Sequence, residues 1–238
     1  MKRFFLGCCL ALALTGRAQT DKQNQDKQYQ KDVQPAVFAL TMVMMHDVVN
    51  PPAAARFYTY STLGAYDLIS SLSGGLPRPS AIFHQYKDFV IEIDKKKLDP
   101  GFAAVYSILE GGRVFLPSGY MLEKDLAEYE AKCRKRGVPS QKIDYSKEIA
   151  KKYVQHVLDF SKGDRYNKLS TMVRYSPKNQ DWSWYPTPPG YMDAVEPHWK
   201  IIRPMFMDSS QQFKPKPPVP FSKDTTSEFH KLAYEVYK

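Results

Sequence analysis

Cysteine is nearly absent from this sequence. Three occur in 238 residues, and two of them, Cys8 and Cys9, fall in an apolar N-terminal run. With that run removed, Cys133 stands alone and no internal disulfide can form, so the chain must rely on its core. Its length is sufficient for one substantial core or two modest ones. Cys133 sits in Ala-Lys-Cys-Arg-Lys with no histidine beside it, which argues against a thiol nucleophile. After Leu14 no stretch reaches the ~18 continuous apolar residues of a membrane span. Also missing are H-E-x-x-H, G-x-S-x-G, a Gly-rich phosphate loop and paired C-x-x-C. Each of the five histidines stands alone, without metal-ligand spacing. The formal charge is +9, but Lys2, Arg3 and Arg17 supply three of those charges from the N-terminal segment. The rest form neither a compact basic stripe nor a reading motif, so no nucleic-acid partner is expected.

What is present begins with a leader. Lys2 and Arg3 precede the apolar run Phe4 to Leu14, and Gly16-Arg17-Ala18 offers small residues at a cut between Ala18 and Gln19. This pattern is that of a secretory signal, residues 1–18, and predicts a periplasmic or secreted protein. The competing structural reading is a buried N-terminal helix. Lipidation at Cys8 has too little apolar sequence before it. Residues 19–32 are polar and low in complexity, and are expected to be a disordered leader. Residues 33–238 then form a helical domain.

The chain is organised around Asn50 to Ser71. Two prolines open that stretch, and a proline at the first helical position forfeits no hydrogen bond. Small and aromatic residues then recur at helical spacing on more than one side, as in an inner helix of an all-α protein. Gly64 and Ala65 leave room for neighbours. Further helices are expected over Val33–Val49, over Ala81–Pro100 with Ser80 as cap, from Pro100, over Tyr120–Arg136, from Ser146 to Phe160, and over Ser222–Lys238 with Ser222 or Asp224 as cap. Gly111-Gly112 marks a break or a close helix crossing. The Met42, Met44 and Met45 cluster reads as adaptable core filling. No internal repeat is present.

From Asp164 onward the pattern changes. All three tryptophans and several prolines interrupt helical periodicity, giving an ordered irregular segment expected to wrap the bundle. Here lie the candidate pocket-lining residues Trp184, His198, Trp199 and Arg203. His198 and Arg203 can meet an anionic group within an aromatic wall, yet they lack a nucleophile and a second base. A purely structural network is the competing reading. Trp182 and Trp184 likewise read either as packing anchors or as pocket walls.

Several short motifs together carry a family resemblance. They are Asn50-Pro51-Pro52-Ala53-Ala54-Ala55-Arg56 with Tyr58, Tyr60 and Ser61; Gly163-Asp164; Tyr185-Pro186-Thr187-Pro188-Pro189-Gly190-Tyr191; and Pro197-His198-Trp199 with Arg203-Pro204. In this order the chain resembles the N-terminal half of secreted bacterial proteins of the vanadium-dependent haloperoxidase and type 2 phosphatidic acid phosphatase superfamily. The resemblance implies an all-helical fold and, in a complete protein, an oxyanion site for phosphate or vanadate.

The familiar catalytic set is a Lys followed by Arg-Pro, then Ser-Gly-His, then a later Arg and His. It has no counterpart here. Position 196, seven before Arg203, is Glu; position 71, seven before Arg78, is Ser; and Ser-Gly-His does not occur. Lys and Arg must neutralise equatorial oxygens while a His sits on the axial line, and one His with one Arg cannot do so. The 238 residues are therefore expected to bind no cofactor and to be inactive alone. The helical pattern is still running at Lys238, and a missing C-terminal half or second chain is the expected partner. The full-length function would be phosphate-ester hydrolysis or vanadate-dependent halide oxidation. The alternative is a non-enzymatic secreted binding or scaffold protein.

Overall fold

Asn50-Pro51-Pro52 starts a helix because each residue suits its place. Asn50 stays extended and its side chain accepts from the Ala53 N–H at 3.0 Å, while Pro51 occupies the first helical position. In the computed structural model, which describes residue 24 and residues 26–238, this helix runs Pro51–Leu72. It is the second of six α-helices: α1 (26–46), α2 (Pro51–Leu72), α3 (Pro100–Phe115), α4 (Glu123–Lys135), α5 (Ser140–Ser161) and α6 (Glu228–Tyr237). Short 3₁₀ turns join them, and no strand occurs among the described residues. The fold is all-α. The chain divides into two compact units at Asp164/Arg165.

In the first unit α2, α3 and α5 pack against one another, and α4 packs on α3. As its two-sided pattern predicts, α2 buries residues all round, including Phe57, Tyr60, Leu63 and Leu68. Gly111 is a point of close crossing: a Cβ there would lie 2.5 Å from the Ser61 carbonyl oxygen of α2. Gly112 plays the same part against Leu40 of α1 and Leu122. α4 buries Leu126, Tyr129 and Cys133 on one line, and it ends at Gly137, whose positive φ suits a residue without Cβ.

Four expectations are corrected. Residues 26–32, placed in a disordered leader, are already helical, and Asp32 is buried there. The expected helix over Ala81–Pro100 is a 3₁₀ turn at Pro79–Ala81 followed by irregular and extended chain. Its β-branched run fits that outcome, and Asp67 supplies the anchor, accepting from the Phe89 N–H at 3.2 Å. α5 begins at Ser140, behind Pro139, and not at Ser146. Ser146 is buried inside the helix, where its hydroxyl accepts from the Asp99 N–H at 2.9 Å. α6 begins at Glu228, capped by Ser227, because Ser222 and Asp224 are used in the preceding turn. Residues 1–23, with the expected signal, lie outside the described residues.

The second unit is irregular, as expected, with 3₁₀ turns at Tyr166–Thr171 and Trp199–Ile201 before α6. Ile202 is its only buried residue. No helix among the described residues is long and apolar enough to cross a membrane.

Candidate functional site

The four expected pocket-lining residues all lie in the second unit, and the structure separates them. His198 caps the Trp199–Ile201 turn and its Nε2 lies 2.6 Å from the Val173 carbonyl oxygen. It lines a hollow of about 390 Å³ together with Arg174, Tyr175, Asp193 and Glu196. Trp184 lines a different, wider hollow of about 760 Å³ with Trp182, Pro218, Pro220, Phe221 and Phe229. Trp199 and Arg203 line neither. Trp199 instead makes an edge contact with Tyr166, ring centroids 6.2 Å apart.

The tryptophan-lined hollow is built from chain segments with no periodicity to announce it. Asp181 to Trp184 forms one wall and the proline run the other. Trp182 meets Phe221 at 6.4 Å, Phe221 meets Phe229 of α6 at 5.0 Å, and Lys223 pairs with Asp181. Trp182 and Trp184 are 67% and 51% exposed, so they are walls of an open hollow more than packing anchors. In the His198 hollow the cationic Arg174 stands among two carboxylates, Asp193 and Glu196.

The first unit holds its own polar networks, and two of their central carboxylates, Asp67 and Asp32, were not singled out by sequence reasoning. Asp67, fully buried on α2, accepts from Arg78 Nη2 at 2.7 Å and from the Tyr86 hydroxyl at 2.7 Å, besides the Phe89 N–H. Burial pushes the Asp67 carboxyl above its ordinary range, against the pull of these donors, and burial with the neighbouring carboxylate also raises the Tyr86 phenol. Arg78 also donates to the Phe89 carbonyl. Arg56 Nε donates to Asp164 at 2.6 Å, with its guanidinium 4.9 Å from the Tyr60 ring centroid. Asp32 is held by Lys132 at 2.8 Å and by Arg136. Burial opposes ionisation of Asp32, but the hydrogen bonds from Arg136 and Lys132 outweigh it and hold its pKa low. Arg56 and Asp164 stood in the motifs that carried the resemblance and Arg78 in the Arg78-Pro79 pair, whereas Asp32 and Asp67 carried no sequence signal.

These arrangements are structural ties. A vanadate or phosphate group requires several cations converging on one point with an axial imidazole. Here Arg56 and Arg78 are committed to buried carboxylates, and His198 has Val173 against one ring nitrogen and carboxylates beside it. The donor set does not fit the oxyanion. No group of three or more His, Cys, Asp or Glu side chains able to hold a metal occurs among the described residues.

Comparison with known proteins places the scaffold. No protein-family model matches the chain, and no curated protein matches it. Among solved structures it is similar to that of the first bacterial vanadium-dependent iodoperoxidase, with a TM-score of 0.79 and 28% sequence identity. The fold is haloperoxidase-like. The match covers 87% of this chain and 50% of the iodoperoxidase, so this haloperoxidase-like chain spans half the length of that protein.

Proposed function

We propose that these residues form the helical scaffold half of a secreted haloperoxidase-like protein, whose oxyanion chemistry is carried by residues outside them. One observation carries the reading: the chain superposes on half of a vanadium iodoperoxidase, while its own buried arginines are spent on structural ion pairs. In the complete protein the chemistry would be vanadate-dependent halide oxidation or phosphate-ester hydrolysis, and the iodoperoxidase likeness favours the former. The exposed aromatics of the second unit and the outer side of α6, with Leu232, Val236 and Tyr237, support a covering half or second chain.

The test is an assay of the purified chain with vanadate, iodide and peroxide, and separately with an aryl phosphate. No turnover is expected; vanadate-dependent iodide oxidation by this chain alone would overturn the proposal. Intact mass of the protein from its native host gives the second arm. A mass well above that of residues 19–238 is expected for a longer chain. A matching mass leaves a second chain, or a binding protein whose ligand occupies the tryptophan-lined hollow, and pull-down separates the two.

A further inference from the structure

Residues 78–89 form a loop closed on itself. Arg78 Nη2 donates to the Phe89 carbonyl at 3.1 Å, and Ser80 donates through its N–H and its hydroxyl to Asp88 at 2.8 and 2.7 Å. Inside it, the Ile82 and Phe83 N–H groups both donate to the Pro79 carbonyl. A compact loop with adjoining ends is packed by its own side chains. The chain on either side is pinned separately. The Tyr66 hydroxyl donates to the Pro77 carbonyl at 2.8 Å, and the Asp94 N–H donates to the Tyr145 hydroxyl oxygen at 2.9 Å.

Two posts fasten the loop to the helices beneath it. On α2, Asp67 accepts from Arg78 at one end of the loop, from the Phe89 N–H at the other and from the Tyr86 hydroxyl between them. On α5, His156 Nε2 donates to the Lys87 carbonyl at 2.6 Å, and its ring stacks on Phe89 at 4.8 Å. Tyr86 and Phe89 also meet Phe160 and Tyr153 edge-on, at 4.9 and 5.0 Å. Yet of residues 78–89 only Pro79 and Tyr86 are buried, and α2, α3 and α5 pack directly on one another. A segment with few buried side chains over a self-sufficient core belongs to the low end of local stability.

We propose that this loop is a lid that lifts from α2 and α5 as one body, with Asp67 as its catch. One carboxylate holds three points of the loop, so losing that grip frees all three together. The closure between Ser80 and Asp88 travels with the loop, and the pinned ends at Pro77 and Asp94 stay in place. Lifting brings Asp67, fully buried in the closed form, to water beside the apolar faces that Tyr86 and Phe89 cover. The closed and open forms therefore present different surfaces on this side of the bundle. The lid rests on unit-one geometry and stands whether or not the proposed function holds.

Hydrogen exchange of the purified protein, followed amide by amide by NMR, reads the opening. The Phe89 amide is expected to exchange faster than the helix amides of Val105 and Leu109 in α3. Its rate should also depend less on added denaturant, because lifting exposes only part of the surface. Asp67→Asn turns an amide NH₂ toward the donors and speeds Phe89 exchange about tenfold or more, with α3 unchanged. His156→Phe keeps a ring beside Phe89 and removes the tie to Lys87. A lid moving as one body then speeds Phe89 as well, and this variant carries the test should Asp67→Asn not fold. Phe89 exchange as slow as that of α3, or variants that speed loop and core alike, would sink the lid. A Phe89 amide untouched by His156→Phe means fraying at Asp67 alone and would overturn the single body.

Discussion

Arg56 and Asp164, 108 positions apart, meet at 2.6 Å where neither side chain is more than 8% exposed. The pair ties the first turns of α2 to the end of the first unit, and the Arg56 guanidinium also lies over Tyr60. Asp164→Ala leaves a buried cation without its anion. The expected loss is about 3–5 kcal/mol, read as a melting temperature lower by about 2–4 °C per kcal/mol. Arg56→Met, which removes the charge and keeps most of the volume, should cost less than Asp164→Ala.

The crossing of α2 and α3 depends on the missing side chain at Gly111. Gly111→Ala drives a Cβ to 2.5 Å from the Ser61 carbonyl oxygen, which belongs to backbone and cannot swing aside. A destabilisation of about 1–3 kcal/mol is expected in denaturant melts. Gly74→Ala meets nothing within 4 Å and serves as comparison. Its expected effect is slight stabilisation, below about 1 kcal/mol, through the unfolded chain.

Asp32 and Asp67 should titrate on opposite sides of an ordinary aspartate. The Asp32 pKa is lowered, so its pairing stabilises the fold above the unfolded carboxyl pKa, and that contribution is lost as pH falls through the lower folded value. The Asp67 pKa is raised, so ionising it opposes folding, and that penalty is relieved as pH falls through its folded value. Carboxyl-carbon NMR titration checks both directions. Tyr86→Phe, which removes a donor to the Asp67 carboxylate, should move the Asp67 midpoint higher still; a fall would contradict this account.

Ser107 is fully buried on α3, and its hydroxyl finds no hydrogen-bond partner among the described residues. An unpaired buried hydroxyl costs stability, so Ser107→Ala is expected to be neutral or to stabilise by up to about 1 kcal/mol. Thermal melts of the variant decide it; a clear loss would show that the hydroxyl is bonded in solution.

The elements read well from the sequence are those whose signals are local. Pro51 and Pro100 mark helix starts, and the helix expected over Tyr120–Arg136 is found as α4 behind a short 3₁₀ turn. Errors arose where a side chain served a distant partner. Ser146 looks like a cap in sequence but its hydroxyl oxygen accepts from the Asp99 N–H, 47 residues earlier. Residues 81–99 have enough apolar content for a helix, yet Asp67 holds Phe89 and Arg78 in an irregular path. The candidate residues of the second unit shared a motif-rich stretch, and proximity in sequence did not bring Trp184 and His198 into one hollow. Nothing in the order of aromatics and prolines specifies which faces of an irregular chain converge.

The position of Asp164 also sets a timetable for synthesis. Arg56 leaves the ribosome more than a hundred residues before the carboxylate that neutralises it. Until then α2 cannot bury its first turns without stranding a charge. Only with Gly163-Asp164 does the chain acquire the anion that lets those turns be buried with their charge paired.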